Sequence, residues 1–181
     1  GIAGSAKTTT VLRTVAAEYR AHGYTVRAIT PYKDAAGVLG REIGTEGITL
    51  ARHLLDAKAD RDMGGRQAWM VDEASLTSAK LARDLLKAAD QYSANVILVG
   101  DVRQLGSIES GRVFGQLQEH GVPTTKLEEI VRQRDENLKE GVYAASRGDV
   151  HTALDKVESS GSITSIEHPE KLQAAAAQQY L

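Results

Sequence analysis

The chain begins with a stretch whose residue types and spacing are those of a phosphate-binding loop, Gly1-Ile2-Ala3-Gly4-Ser5-Ala6-Lys7-Thr8-Thr9-Thr10. In such a loop, backbone N–H groups surround the phosphates, and the following helix adds the positive end of its dipole. The Lys7 ammonium would reach the β- and γ-phosphates, and the Thr8 hydroxyl would ligate Mg²⁺. Ala6 stands where the pattern G-x-x-x-x-G-K-[ST] has its second glycine. The alternative is a turn of small residues before a helix that carries a surface lysine.

A second stretch places two adjacent carboxylates directly after a short apolar run. Residues 68–71 predict a buried strand, and Asp72 and Glu73 follow it. This is the Walker B arrangement, in which Asp72 holds Mg²⁺, directly or through water, and Glu73 orients and deprotonates the attacking water. The alternative is a strand that ends in a helix cap, because Asp and Ser are both good N-cap residues.

Two further stretches carry polar side chains that suit phosphate chemistry. Asp101 and Gln104 follow a continuous apolar run at 95–99, and Gln104 is placed to sense a γ-phosphate or its attacking water. Arg132 lies beside Gln133 and would neutralise charge on a transferring phosphoryl group. The alternatives are an ordinary Gly-Asp turn at the first position and a surface arginine pair with Arg134 at the second.

The elements that must position these residues alternate between strands and helices, which predicts a parallel α/β sheet. The apolar run at 95–99 indicates that helices cover the sheet on both faces. The predicted strands are 25–30, 68–71, 95–99 and 162–166. The predicted helices are 8–22, 35–42, 49–55, 76–91, 111–120, 136–146, 149–157 and 170–181, with a turn at 44–47 and a surface connection at 56–66.

Composition narrows the class of protein. A chain of 181 residues with 41% hydrophobic content is one domain, with a second begun. The net charge of −2 argues against a generally basic nucleic-acid binder but leaves room for a local basic track. The absence of cysteine fits a reducing compartment, so we expect a cytoplasmic location, and no apolar run is long enough for membrane insertion. The five histidines, which have no metal-binding spacing, are His22, His53, His120, His151 and His168.

Five stretches in this order resemble the motifs of the first motor domain of RecD-like superfamily 1 helicases, which has a RecA-like sheet. The resemblance is closest to the helicase part of TraI/TrwC-type conjugative relaxases. The stretches are 1–9 (motif I), 30–36 (Thr-Pro-Tyr-Lys-Asp-Ala-Ala, motif Ia), 71–75 (motif II), 100–105 (motif III) and 129–133 (motif IV). The resemblance covers residues 1–157, and 158–181 would connect to a second motor domain.

The resemblance implies ATP-driven translocation along single-stranded DNA in the 5′ to 3′ direction, with ATP and Mg²⁺ as cofactors. The second motor domain would be a partner, as would the conjugation and secretion machinery. The implied nucleotide-binding residues are Gly1, Gly4, Ser5, Ala6, Lys7, Thr8, Thr9 and Asp101. Thr8 and Asp72 would hold the metal, Glu73, Gln104 and Arg132 would be catalytic, and Thr30, Pro31 and Lys33 would contact DNA.

Two other functions compete with the helicase interpretation. The first is a non-catalytic RecD-like module that binds single-stranded DNA or serves as a secretion signal. The second is an unrelated P-loop ATPase or kinase, which the ordered stretches at 100–105 and 129–133 disfavour. A phosphate-binding loop ordinarily follows a buried strand, and none precedes Gly1, so we expect the sequence to be part of a longer chain that would unwind DNA only as a whole.

Overall fold

The computed structural model describes residues 11–61, 63–102, 112–126 and 135–161. These residues fall into two compact units, one before and one after the gap at 127–134. The strands of the first unit are β1 (Tyr24–Thr30), β2 (Gly47–Thr49), β3 (Arg66–Val71) and β4 (Asn95–Leu98). Its helices are α1 (Arg13–Ala21), α2 (Lys33–Ile43), α3 (Leu50–Lys58), α4 (Ala79–Gln91) and α5 (Val113–Glu119), with a short 3₁₀ helix at Ala74–Leu76.

The four strands form one sheet in the order β2-β1-β3-β4, and all neighbouring pairs are parallel. β3 lies inside the sheet, where Met70 is opposite Ala28 of β1 and Ile97 of β4. Each strand is followed along the chain by a helix or a 3₁₀ turn. The predicted α/β fold with a parallel sheet is therefore confirmed.

Alternate residues of β3 enter two separate hydrophobic cores, one on each face of the sheet. Trp69 and Val71 pack with Leu50 and Leu85 of the helices on one face. Ala68 and Met70 pack with residues of α1 and α2 on the other face. Burial of each large apolar side chain stabilises the fold by roughly 1.5–3 kcal/mol. The prediction of helices on both faces is confirmed by these two cores.

The strand β2 is the main element that the sequence pattern did not predict. We interpreted 44–47 as a turn and 49–55 as a helix, whereas Gly47–Thr49 pairs with β1 and the helix α3 runs from Leu50 to Lys58. The predicted helix at 76–91 is also shorter, because Ser78 caps α4 by accepting a hydrogen bond from the Leu81 N–H at 3.3 Å. Three residues are too few to show a strand period, so tertiary pairing alone defines β2.

Two glycines permit β2 to lie directly against the backbone of α2. A Cβ atom built on Gly47 would lie 1.7 Å from the carbonyl oxygen of Ala36. One built on Gly40 would lie 2.5 Å from the backbone nitrogen of Gly47. Any side chain at these two positions would separate the helix from the strand.

The second unit contains the described helices α6 (Glu136–Ser146) and α7 (Val150–Ser159). Asp135 caps α6 by accepting from the Leu138 N–H at 2.9 Å, and Asp149 caps α7 by accepting from the Thr152 N–H at 3.1 Å. Gly141 of α6 is buried, where a Cβ would lie 3.3 Å from the carbonyl oxygen of Ala153. Both helices were predicted, the second with its start at Asp149, whereas the predicted strand at 162–166 and helix at 170–181 lie outside the described residues.

His53 of α3 is fully buried and makes an edge-to-face contact with Trp69, with 4.3 Å between the ring centroids. Neither ring nitrogen has a hydrogen-bond partner in the described ranges. Burial, as the larger cause, and the nearby charge of Arg27 together lower the pKa of His53 to about 4, against an opposing effect of Asp56. The imidazole is therefore neutral in the folded protein at physiological pH.

This burial predicts that the free energy of unfolding falls with acidity. The unfolded chain takes up a proton near pH 6.5, whereas folded His53 does so only near its pKa of about 4. The contribution of neutral His53 to the free energy of unfolding is therefore present above pH 6.5. About 2 kcal/mol of this contribution is lost between pH 7 and pH 5. Urea unfolding at both pH values should show this loss in the wild type and a smaller loss in His53→Phe. The exposed His151→Gln should match the wild type, and an identical loss in His53→Phe would contradict the assignment.

Thr77, between the 3₁₀ helix and α4, predicts a stabilising substitution. It is 6% exposed, lines an apolar cavity with Leu85 and Phe114, and its Oγ1 has no hydrogen-bond partner in the described part of the chain. Because a buried unpaired hydroxyl costs roughly 1–3 kcal/mol, Thr77→Val should raise the free energy of unfolding by about 1 kcal/mol.

The matched control is Thr49→Val, since the Thr49 hydroxyl accepts from the Arg52 N–H at 3.2 Å and caps α3. Loss of this cap should lower the free energy of unfolding by about 1 kcal/mol. Urea titrations of both variants measure the two changes. Destabilisation by Thr77→Val would mean that its hydroxyl is hydrogen-bonded to a buried water.

Candidate functional site

Three polar loops lie at one edge of the sheet. Because β1, β3 and β4 are parallel, their carboxyl ends meet at this edge. We call residues 30–33, from the last residue of β1 to the first of α2, the loop after β1; residues 72–75 form the turn after β3, and Gly100 and Asp101 follow β4. Ligands of open α/β sheets bind at this edge.

Backbone hydrogen bonds that extend the sheet beyond β3 orient the Asp72 carboxylate. The Asp72 N–H donates to the carbonyl oxygen of Ile29 at 2.9 Å, so the ladder with β1 continues one residue past the strand. The Asp72 Oδ1 then accepts from the Glu73 N–H at 2.9 Å. Both side chains are half-buried, and the Asp72 carboxylate is held at the strand end by its own turn.

Glu73 has a left-handed backbone conformation, with φ 52° and ψ 36°. For a residue other than glycine this conformation costs roughly 1–2 kcal/mol, and such strain is often found at functional sites. Its carbonyl oxygen accepts from the Leu76 N–H at 2.9 Å, and the next amide, that of Ala74, donates to Val99 at 2.8 Å. Hydrogen bonds on both sides of Glu73 therefore keep it in this conformation.

The end of β4 lies against the same turn. The Val99 N–H donates to the carbonyl oxygen of Val71 at 2.8 Å, and Val99 in turn accepts from Ala74. Gly100 is buried beside Ala74 and Ser75, and Asp101 is 5% exposed. The structure thus brings Asp72, Glu73 and Asp101, which were predicted as site residues from separate stretches, to one edge of the sheet.

The loop after β1 contains one buried residue that supports its backbone and two exposed residues. Thr30 is fully buried, and its hydroxyl donates to the carbonyl oxygen of Tyr32 at 2.7 Å. Tyr32 is 53% exposed, and Lys33 beside it is exposed at the start of α2. The direct DNA contact of Thr30 stays a prediction, whereas its hydroxyl orders the loop. The predicted DNA contacts were Thr30, Pro31 and Lys33, and the structure adds that the ring of Tyr32 between them is exposed.

Several predicted site residues lie outside the described ranges. They are Gly1, Gly4, Ser5, Ala6, Lys7, Thr8, Thr9, Gln104 and Arg132. Their roles in binding phosphate, Mg²⁺ and the transferring phosphoryl group stay predictions. The described half of the site is the carboxylate half, which matches the stretches at 71–75 and 100–101.

The oriented Asp72 carboxylate at the described edge is a ligand that fits Mg²⁺. No group of three or more histidine and acidic residues within the described ranges is placed to hold a metal ion. Mg²⁺ is usually bound by one or two carboxylates together with water and substrate phosphates, so a single oriented Asp72 suits it.

Among the helices of the described residues, none has the length and apolar character needed to cross a bilayer.

Comparison with known proteins places the chain in a family. The family described as AAA domain matches residues 1–168. The chain is 30% identical over its whole length to conjugal transfer protein TraA of Rhizobium radiobacter, of which it covers 16%. Over 85% of the chain it is 30% identical to conjugal transfer protein TraA of Agrobacterium fabrum, of which it covers 14%.

A third relative is a probable conjugal transfer protein TraA of Sinorhizobium fredii, with 28% identity over 89% of the chain. The chain spans between 14% and 16% of the length of these three relatives. The family match, by contrast, extends over nearly all of the chain and includes each of the described loops. The chain therefore belongs to the AAA domain family, within the P-loop NTPases.

Proposed function

We propose that this chain is the ATP-binding and hydrolysing half of a 5′ to 3′ DNA helicase that acts in conjugation. The observation that carries the proposal is the oriented Asp72–Glu73 turn, hydrogen-bonded to the ends of β1 and β4 at a single sheet edge. The similarity to conjugal transfer proteins supports the biological context. Residues 1–157 would be the first motor domain and 158–181 the connection to a second.

In this proposal some residues at the edge bind the nucleotide and Mg²⁺, and others act in hydrolysis. Lys7 binds the β- and γ-phosphates, and Thr8 and Asp72 hold Mg²⁺, which supplies charge neutralisation on the phosphates when bound. Glu73 accepts the proton of the attacking water, and the left-handed turn presents its carboxylate at the strand end. Gln104 senses the γ-phosphate, and Arg132 neutralises charge that develops on the transferred group.

The loop after β1 is the proposed contact with single-stranded DNA. Exposed Tyr32 offers a ring on which a base stacks, and Lys33 offers a charge for a backbone phosphate. Thr30 and Pro31 belong to the same loop, where the Thr30 hydroxyl supports the carbonyl oxygen of Tyr32. DNA bound here would lie close to the turn that contains Glu73, since both loops lie at the same sheet edge.

The proposal predicts that nucleotide binding and hydrolysis can be separated by mutation. Glu73→Gln in the full-length protein should leave ATP affinity nearly unchanged, because the base acts mainly in the transition state. DNA-stimulated ATP hydrolysis should fall by roughly 10²–10⁴-fold. Lys7→Ala should instead abolish nucleotide binding, and Arg132→Ala should lower turnover. Calorimetric titration and ATPase rates on the same preparations measure these effects.

The control for charge removal is Glu18→Gln, whose side chain is 74% exposed on α1, and it should match the wild type. Undiminished hydrolysis in Glu73→Gln would eliminate the assignment of the base. A wild-type full-length protein that binds single-stranded DNA but shows no ATPase activity would instead favour the non-catalytic module.

The DNA contact gives a separate prediction. Tyr32→Leu should weaken binding of an oligo-dT strand by about 1–3 kcal/mol, because a stacked base is lost. Lys33→Gln should weaken binding and reduce the salt dependence by about 0.7 in slope, as one phosphate contact is lost. Fluorescence anisotropy at several salt concentrations measures both effects. The exposed Lys58→Gln on α3 is the control, and an unchanged affinity in both loop variants would place the DNA elsewhere.

A further inference from the structure

Gly100 occupies a space in which no side chain fits. A Cβ atom built on it would lie 2.9 Å from the backbone nitrogen of Ser75 and 3.3 Å from that of Ala74. The residue is buried and is not among the glycines with positive φ. Gly100 is therefore needed for the close approach of two backbones rather than for an unusual conformation.

The backbone that Gly100 approaches belongs to the turn that holds Glu73. Glu73 is kept left-handed by hydrogen bonds from its own N–H to Asp72 Oδ1 and from the Leu76 N–H to its carbonyl oxygen, both 2.9 Å. The next amide, of Ala74, donates at 2.8 Å to Val99, the residue directly before Gly100. The end of β4 thus holds the turn by one hydrogen bond and by one backbone contact that requires glycine.

We propose that Gly100 is a positioning residue for Glu73, an inference that rests on the proposed role of Glu73 as the base. The Ser75 Oγ at 3.2 Å could move aside, but the nearest atom, at 2.9 Å, is the backbone nitrogen of Ser75, so an added Cβ must displace backbone. The displacement lengthens the Ala74–Val99 hydrogen bond and moves the Glu73 carboxylate. A shift of about 1 Å in a catalytic group can cost roughly 100-fold in rate.

Gly100→Ala in the full-length protein tests the inference through turnover. The kcat for ATP hydrolysis should fall by at least about tenfold, while nucleotide affinity stays within about twofold. Gly37→Ala is the matched control, because its Cβ would meet no atom closer than Arg41 Nη1 at 3.7 Å, and it should behave as the wild type. If Gly100 acts through Glu73, the alanine should have little further effect in a Glu73→Gln background. An equal fold-loss in both backgrounds would overturn the inference.

A second readout requires no turnover, so it distinguishes a failure of this inference from a failure of the proposed function. Amide hydrogen exchange at Ala74 and Leu76 should speed up about tenfold or more in Gly100→Ala, whereas exchange at Leu81 should not change. Unchanged protection at Ala74 and Leu76 would overturn the inference, even in a protein without ATPase activity.

If Gly100→Ala lacks a cooperative thermal transition, the double variant Glu73→Gly/Gly100→Ala provides the test. Glycine at 73 lets the turn move without backbone strain, so the transition should return. A double variant that remains unfolded would also overturn the inference.

Discussion

The parallel pairing of β3 with β1 and β4 is the constraint on which the rest of the structure depends. β3 contributes side chains to both cores and pairs with a strand on each side. A shift in its register, or a reversal of which face each residue points to, would therefore expose Trp69 or Met70. The ladders continue past the strand ends through Asp72 with Ile29 and through Val99 with Val71 and Ala74. The same hydrogen bonds that stabilise the sheet therefore also orient the carboxylates at its edge.

This shared support explains why the turn at Glu73 can retain a strained backbone. The strain of roughly 1–2 kcal/mol at Glu73 is small beside the packing of two cores. It persists because neighbouring groups leave no relaxed alternative: Ala74 is tied to Val99, and Gly100 lies against Ser75. A turn in open solvent would relax, and its carboxylate would lose its fixed direction.

Close backbone packing recurs at two places in the first unit. Gly40 and Gly47 bring α2 onto β2, and Gly100 brings the end of β4 onto the turn after β3. In both cases a missing side chain, rather than an added contact, sets the distance between elements. The buried side chains of His53 and Thr77 differ, since their side-chain polar atoms have no hydrogen-bond partner in the described part of the chain and so lower the stability of the packing around them.

The sequence by itself determined the alternation of strands and helices, the helix start at Asp149, and the order of the loops with phosphate-binding and carboxylate residues. These features are local: a strand period, a cap or a motif is complete within a few residues. The tertiary structure alone decided that Gly47–Thr49 is a strand, that the turn at Glu73 is held left-handed beside Val99 and that Gly100 must lack a side chain. Each of these features depends on an atom that a distant part of the chain brings within contact. The distance between two such atoms cannot be read from a local sequence pattern.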